Sequence, residues 1–372
     1  VRWAFEASAE VRTGVVLGKL GDDPATAYFG DIIANVYAVD ATTGELRWKV
    51  SADDHHSATL TGTPAYHNGI IYQPVSSLEV IAAANPDYEC CSFRGKVIAL
   101  NGADGSVIWE SYSIEQEPAV TGKTAAGTAV LSPSGGPVWT SPTIDAANNV
   151  LYFGTGENYS TPADDNSDAI VAVKLDTGER IWHFQAVRHD IWDRDFPAPP
   201  SLVTVQRGGR AIDAVAQTSK QGYVYLFDRV TGEPLFPIEE RAVPASTIAE
   251  EQAAATQPFP TAPAPFARQE LTADMLTTRS PEMNDWAREQ FSNFLSAGQF
   301  VPFGTEQPFV VMPGFDGGAE WGGSAVDPER GIIYINSNDI AWTGQLAASP
   351  EGMGYAEALY QAQCAVCHGI DK

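Results

Sequence analysis

Short apolar–polar alternations dominate the chain, and they recur. Tyr37-Ala38-Val39-Asp40-Ala41-Thr42-Thr43-Gly44-Glu45-Leu46-Arg47-Trp48 reads as a strand, a tight turn and a second strand closing on Trp. The same unit returns over 97–109, 170–182 and 223–232. Period-two alternation fits a strand with one buried face, and Asp or Asn followed by Gly between two such runs is hairpin chemistry. A further strand pair precedes the hairpin, as in 62–66 with 69–72 and 141–144 with 150–153, and 323–326 with 331–335 opens another unit. Four strands per repeat is the arithmetic of a β-propeller blade. Trp48, Trp109 and Trp182 fall at one place in the repeat and are expected to pack between blades.

One segment, 241–317, breaks the rhythm. Its first half is rich in Pro and Ala (Gln257-Pro258-Phe259-Pro260-Thr261-Ala262-Pro263) and predicts an extended surface loop. Its second half predicts a helix capped by Ser280, with Pro281 at the first position and Gly298 at the end. Met283, Ala287, Phe291, Phe294 and Leu295 share a face expected to pack on the propeller.

With 372 residues, the chain is long enough for a repeat architecture or several domains. A net charge of −25 argues against nucleic acid and anionic membrane surfaces as partners. No apolar run reaches the length of a membrane span. The first residues already read as a strand, with no targeting signal ahead of them, so a fragment cut at both ends is expected. Near the other end, Cys364-Ala365-Val366-Cys367-His368 is Cys-x-x-Cys-His, the attachment signature of c-type haem. That spacing lets both thiols bond one porphyrin while His368 binds iron. A zinc site would want further Cys or His nearby, and there are none. Residues 355–363 predict the short helix that precedes such a motif.

The turns ending in Asp-x-x-Thr-Gly-x-x-x-Trp, with His189-Asp190-Ile191-Trp192-Asp193-Arg194-Asp195-Phe196-Pro197, resemble the quinoprotein dehydrogenases that use pyrroloquinoline quinone (PQQ). Residues 12–185, notably Glu89-Cys90-Cys91-Ser92-Phe93-Arg94-Gly95, resemble polyvinyl-alcohol dehydrogenases. Residues 189–342, with Ser219-Lys220-Gln221-Gly222, are similar to the glucose/quinate branch. The resemblance implies an all-β fold: a partial eight-bladed β-propeller over 1–345, about five blades present, followed over 350–372 by the start of an α-helical cytochrome c domain.

It also implies a site. PQQ is a flat tricarboxylate that needs an aromatic floor, cationic partners and a metal. Trp139 matches the indole stacked on the quinone, Arg12 a carboxylate partner, Thr61 and Ser77 hydroxyl donors, Lys220 the cation at the reactive oxygens, and Trp321 a further contact. For the metal, calcium or a lanthanide, the implied ligands are Glu79, Glu157 or Asn158, Asp193 and Asp195, all hard oxygen donors. Asp193 is also the implied general base. Cys90 and Cys91 are expected to form a vicinal disulfide. The implied reaction is oxidation of a small or polymeric alcohol, with electrons passing through haem c to an external cytochrome in the periplasm; a sugar or polyol is the alternative substrate. A non-enzymatic propeller scaffold would carry neither the haem motif nor the Trp-Asp-x-Asp cluster.

Overall fold

The computed structural model describes residues 2–347, apart from 86, 125, 249, 250 and 252, together with 357 and 360. Antiparallel sheets follow one another along the chain, and in the first four the strands lie side by side almost wholly in sequence order. The first sheet holds Val16–Gly18, Thr26–Gly30, Asn35–Asp40 and Leu46–Ser51. The second is built on Ala58–Thr59, Ile70–Ser77, Lys96–Asn101 and Val107–Tyr112, with Ala65–His67 paired alongside. Thr143–Asp145, Val150–Gly154, Ala169–Lys174 and Arg180–Gln185 make the third; Ser201–Arg207, Arg210–Thr218 and Val224–Asp228 make the fourth. Ser324–Asp327 pairs with Ile332–Ile335 farther on. Tight turns suffice for such meanders, which is why turn residues repeat at fixed offsets.

The repeat Trp residues join each sheet to the next. Trp48 Nε1 donates to the carbonyl of Gly102 at 3.0 Å, and Trp109 Nε1 to that of Leu175 at 3.3 Å. The turn glycines receive these rings. Gly105, Gly178 and Gly232 have φ of 74°, 71° and 74°. A Cβ on them would stand 2.8, 2.5 and 2.6 Å from the rings of Trp48, Trp109 and Trp182 respectively. Glycine is therefore required twice over, by its left-handed backbone and by the ring lying on it. Between the sheets lie dry layers such as Tyr28, Val36, Ile71 and Leu100, and Leu151, Phe153, Val171 and Val173. Few helices interrupt this mostly β fold.

The irregular segment differs from expectation twice. Thr256–Pro260 is no surface loop; it is a strand paired with Ile238–Ala242. Gln257 is fully buried, accepts a hydrogen bond from the Arg188 amide and donates one to the Arg188 carbonyl, both at 2.8 Å. The Ser280 cap is present, its hydroxyl accepting from the Met283 amide, but the helix spans only Pro281–Phe291 and buries no residue. It stops short of Gly298 because the backbone of Leu295 bonds to Pro308 and Val310 instead. Met283 lies exposed on its apolar face, while Ala287 and Phe291 are half-buried.

Candidate active site

The site residues come from two recurrent places. One follows the second strand of a sheet: Ser77 ends Ile70–Ser77, Glu157 comes just after Val150–Gly154, and Lys220 just after Arg210–Thr218. The other precedes the first strand of the next unit: Thr61 ahead of Ala65–His67, Trp139 ahead of Thr143–Asp145, and Asp193 and Asp195 ahead of Ser201–Arg207. Loops at one end of successive sheets are where a rigid β-scaffold can converge unlike side chains. Here they enclose a cleft of about 580 Å³ whose lining includes Thr61, Ser77, Trp139, Glu157, Asp193 and Trp321.

Trp139, Asp195, Asp193 and Lys220 form one connected group. Trp139 Nε1 donates to Asp195 Oδ2 at 2.7 Å, and Lys220 Nζ donates to Asp193 Oδ1 at 2.6 Å while lying 5.3 Å from the Trp139 ring centroid. Glu157, Asp193 and Asp195 bring carboxylate oxygens within 4.8 Å of one another, close enough for a single cation. Gly156 makes this possible, since a Cβ there would press on Asp195 Oδ2 at 2.8 Å. Burial, and then the Asp195 charge, push the Asp193 carboxyl up to about 6 despite the neighbouring Lys220. The same two causes raise Glu157 further. Burial works against the Lys220 charge, but Asp195 and Asp193 more than offset it and raise its pKa.

Several expected participants stand elsewhere. Arg12 is exposed and pairs with Glu10 at 3.2 Å; it does not line the cleft. Asn158 turns its side-chain oxygen to the Ser167 hydroxyl at 2.8 Å, so of the Glu157/Asn158 pair it is Glu157 that joins the acids. Glu79 stands apart from the clustered acids. Its fully buried carboxylate accepts from the amides of Ser92 (3.0 Å) and Phe93 (2.8 Å) and from the Tyr88 hydroxyl (2.9 Å), and it is not among the clustered acids. Burial tends to raise its pKa, but His55, those amides and Tyr88 prevail and hold it low. The sulfurs of Cys90 and Cys91 adjoin each other and lie 3.8 and 3.9 Å from the Tyr159 carbonyl, outside the cleft lining. Cys364, Cys367 and His368 lie outside the described residues.

Three residues join the site without a sequence cue to their role. Tyr159 lines the cleft and receives the Ser77 hydroxyl at 3.3 Å. Asp190 borders it, inside the quoted His-Asp-x-Trp-Asp run. Glu320, near Lys220, is pushed up to about 7, chiefly by burial.

Residues 75–366 match the family described as PQQ: glucose/ethanol/alcohol dehydrogenase, β-propeller domain. The chain belongs to this PQQ-dependent dehydrogenase family. It is 38% identical over 193 residues to the polyvinylalcohol dehydrogenase of Sphingopyxis sp. (strain 113P3), covering 51% of this chain and 30% of that one. To the glycerol dehydrogenase large subunit of Gluconobacter oxydans (strain 621H) it is 30% identical over 218 residues, covering 56% and 29%. The chain thus spans about a third of the length of these relatives. The solved quinohemoprotein alcohol dehydrogenase ADHIIG of Pseudomonas putida HK5 shares the fold at a TM-score of 0.57 and 22% identity, over 88% of this chain and 44% of that structure.

Proposed function

We propose that the protein oxidises an alcohol in this cleft, in a quinohaemoprotein dehydrogenase of the polyvinyl-alcohol type. The observation that carries the reading is the linked set Trp139–Asp195 and Lys220–Asp193 at the cleft. The donor set suits both absent groups. A flat anionic quinone has the Trp139 face, the Lys220 charge and the Thr61 and Ser77 hydroxyls; a hard cation has the Glu157, Asp193 and Asp195 oxygens, of which Asp195 Oδ1 has no partner among the described residues. When bound, PQQ supplies the hydride acceptor and haem c the one-electron relay to an external cytochrome.

The chain's own residues do the rest. Asp193 receives the substrate hydroxyl proton at its carboxylate, a role that a pKa near neutrality favours. Lys220 keeps positive charge beside it, and Asp195 fixes the Trp139 plane through the indole N–H. Calcium is the assigned cation and a lanthanide the alternative, since three carboxylates favour a hard, highly charged ion. Cys364, Cys367 and His368 would hold the haem within a cytochrome c domain beginning near 350, after about five blades of an eight-bladed propeller. Cys90–Cys91 as a vicinal disulfide, and the haem motif, place the protein in the periplasm in this reading. The glycerol dehydrogenase likeness keeps a polyol as the second substrate class.

Replacing Asp193 by Asn in the holoenzyme should leave PQQ bound but lower turnover by roughly two to four orders of magnitude. Turnover close to the parent's would remove Asp193 from the role. A pyridine haemochrome spectrum of c type tests the haem assignment separately.

A further inference from the structure

A second group of acids adjoins the cleft, and the proposed chemistry leaves two of its three members, Asp168 and Asp190, unused. Asp168, Asp190 and Asp195 each place a carboxylate oxygen within 4.8 Å of the others, and all three are buried, Asp168 entirely. Asp168 stands just ahead of the strand Ala169–Lys174, held by its amide on the Gly156 carbonyl and its carbonyl on the Ala186 amide, both at 2.9 Å. These two bonds keep it at a φ of 49°, a conformation few residues other than glycine adopt.

The hydrogen bonds divide unevenly among the three. Asp190 is satisfied on both oxygens, by the amides of Trp192 at 2.7 Å and Arg194. Asp195 spends Oδ2 on Trp139 and has no partner for Oδ1 among the described residues. Among the described residues neither Asp168 oxygen meets a donor in hydrogen-bond geometry; the nearby Ser167 hydroxyl, which works to lower its pKa, donates to Asn158 Oδ1 and the Asp164 carbonyl. Nor does a cation of the chain fill the gap. Arg194 is fully buried, but its Nη1 donates to the carbonyls of Pro313 (2.8 Å) and Gly314 (3.3 Å), and it makes no ion pair among the described residues. Lys220 is committed to Asp193.

A buried carboxylate without partners costs several kcal/mol, so native proteins rarely leave one bare. A proton could join two of the three bare oxygens but would leave the third unsatisfied. A cation with six to eight oxygen ligands can take all of them, completing its shell with backbone carbonyls. A single ion in the cleft serves Glu157 and Asp193 and does not account for Asp168.

We propose that Asp168, Asp190 and Asp195 form a second, inner cation site for a hard, oxygen-seeking ion of the calcium class. It shares Asp195 with the cleft site and is otherwise separate from it. An ion there steadies Asp195, and Asp195 in turn holds the Trp139 indole. Asp168 is accordingly a positioning residue for the cleft.

Metal analysis of the holoenzyme tests this without relying on activity. Asp168→Asn should carry about one equivalent less calcium than the parent, whereas Glu157→Gln should keep that equivalent and lose the cleft ion. If Asp168→Asn folds with a parent-like circular dichroism spectrum and the parent's calcium content, the inner site does not exist. Loss in Asp168→Asn with no loss in Glu157→Gln would support the inner site while overturning the cleft ion of the proposed function. Should Asp168→Asn fail to fold, parent crystals soaked in terbium chloride decide the matter. An anomalous peak among the three acids supports the site, and a peak confined to the cleft overturns it.

Discussion

Glu79 and Asp168 are both carboxylates wholly removed from solvent, and their surroundings are opposite. Glu79 is met by two backbone amides and a tyrosine hydroxyl, and its pKa is held low. Asp168 meets no donor in hydrogen-bond geometry among the described residues, and burial with the Asp190 charge outweighs the nearby Ser167 hydroxyl and pushes its pKa far up. The same side-chain chemistry thus does two jobs. Glu79 closes the turn that carries Cys90 and Cys91 back to the sheet. Asp168, with Asp195, Glu157 and Asp193, forms a region of four carboxylates in which Lys220 ion-pairs with Asp193. Partners, more than burial, distinguish a structural acid from one that awaits a ligand.

Truncating Glu79 should produce the largest stability effect. Glu79→Ala would strand the Ser92 and Phe93 amides and the Tyr88 hydroxyl, at a cost of about 3 kcal/mol or more in urea unfolding, with cation content unchanged. Loss of a cation in that variant would erase the contrast with Asp168.

Much of this was legible in the sequence where the determinants are local. The Asp-x-x-Thr-Gly turns and their Trp residues announce the sheets because turn chemistry is set within a few residues. The Trp-Asp-x-Asp run pointed to Asp193 and Asp195 through the family resemblance alone. The amide partners of Glu79 were not legible because they lie 13 and 14 residues onward, across the Cys90–Cys91 turn. Asp168 was hidden in Asp164-Asp165-Asn166-Ser167-Asp168, a run that reads as a solvated loop. Its last three members are buried, and the bonds of Asp168 to Gly156 and Ala186 hold the end of the run inside. Gln257 escaped notice in a Pro-rich stretch, and Pro281–Phe291, with no buried residue, shows that amphipathic spacing does not guarantee a buried face.

A pH series on metal-free protein sharpens the comparison at intermediate size. Asp193 is raised to about 6 in the folded state, and Asp168 and Glu157 are raised as well. A folded pKa above the unfolded value means that the folded state binds the proton more tightly. The stability this contributes is complete below about pH 4 and is lost as pH rises through the folded values. Metal-free protein should therefore melt lower at pH 8 than at pH 5, by on the order of 5 °C, and saturating calcium should remove the difference. A pH-independent melting temperature in both conditions would mean that the acids are already neutralised.

The smallest effect is the most diagnostic in sign. In metal-free protein at alkaline pH, where the raised Asp168 carboxyl has given up its proton, Asp168→Asn removes an uncompensated charge and should stabilise by about 1–2 kcal/mol, the reverse of Glu79→Ala. In saturating calcium the order should invert, with the parent now the more stable. Equal destabilisation in both conditions would make Asp168 a structural residue like Glu79.

The most direct test of the central claim, that the cleft serves a quinone and a cation together, is reconstitution of chelator-treated holoenzyme stripped of both. Dye-linked alcohol oxidation should return only when PQQ and calcium, or PQQ and lanthanum, are added together, and either alone should restore none. Full activity without quinone, or with NAD alone, would contradict the account.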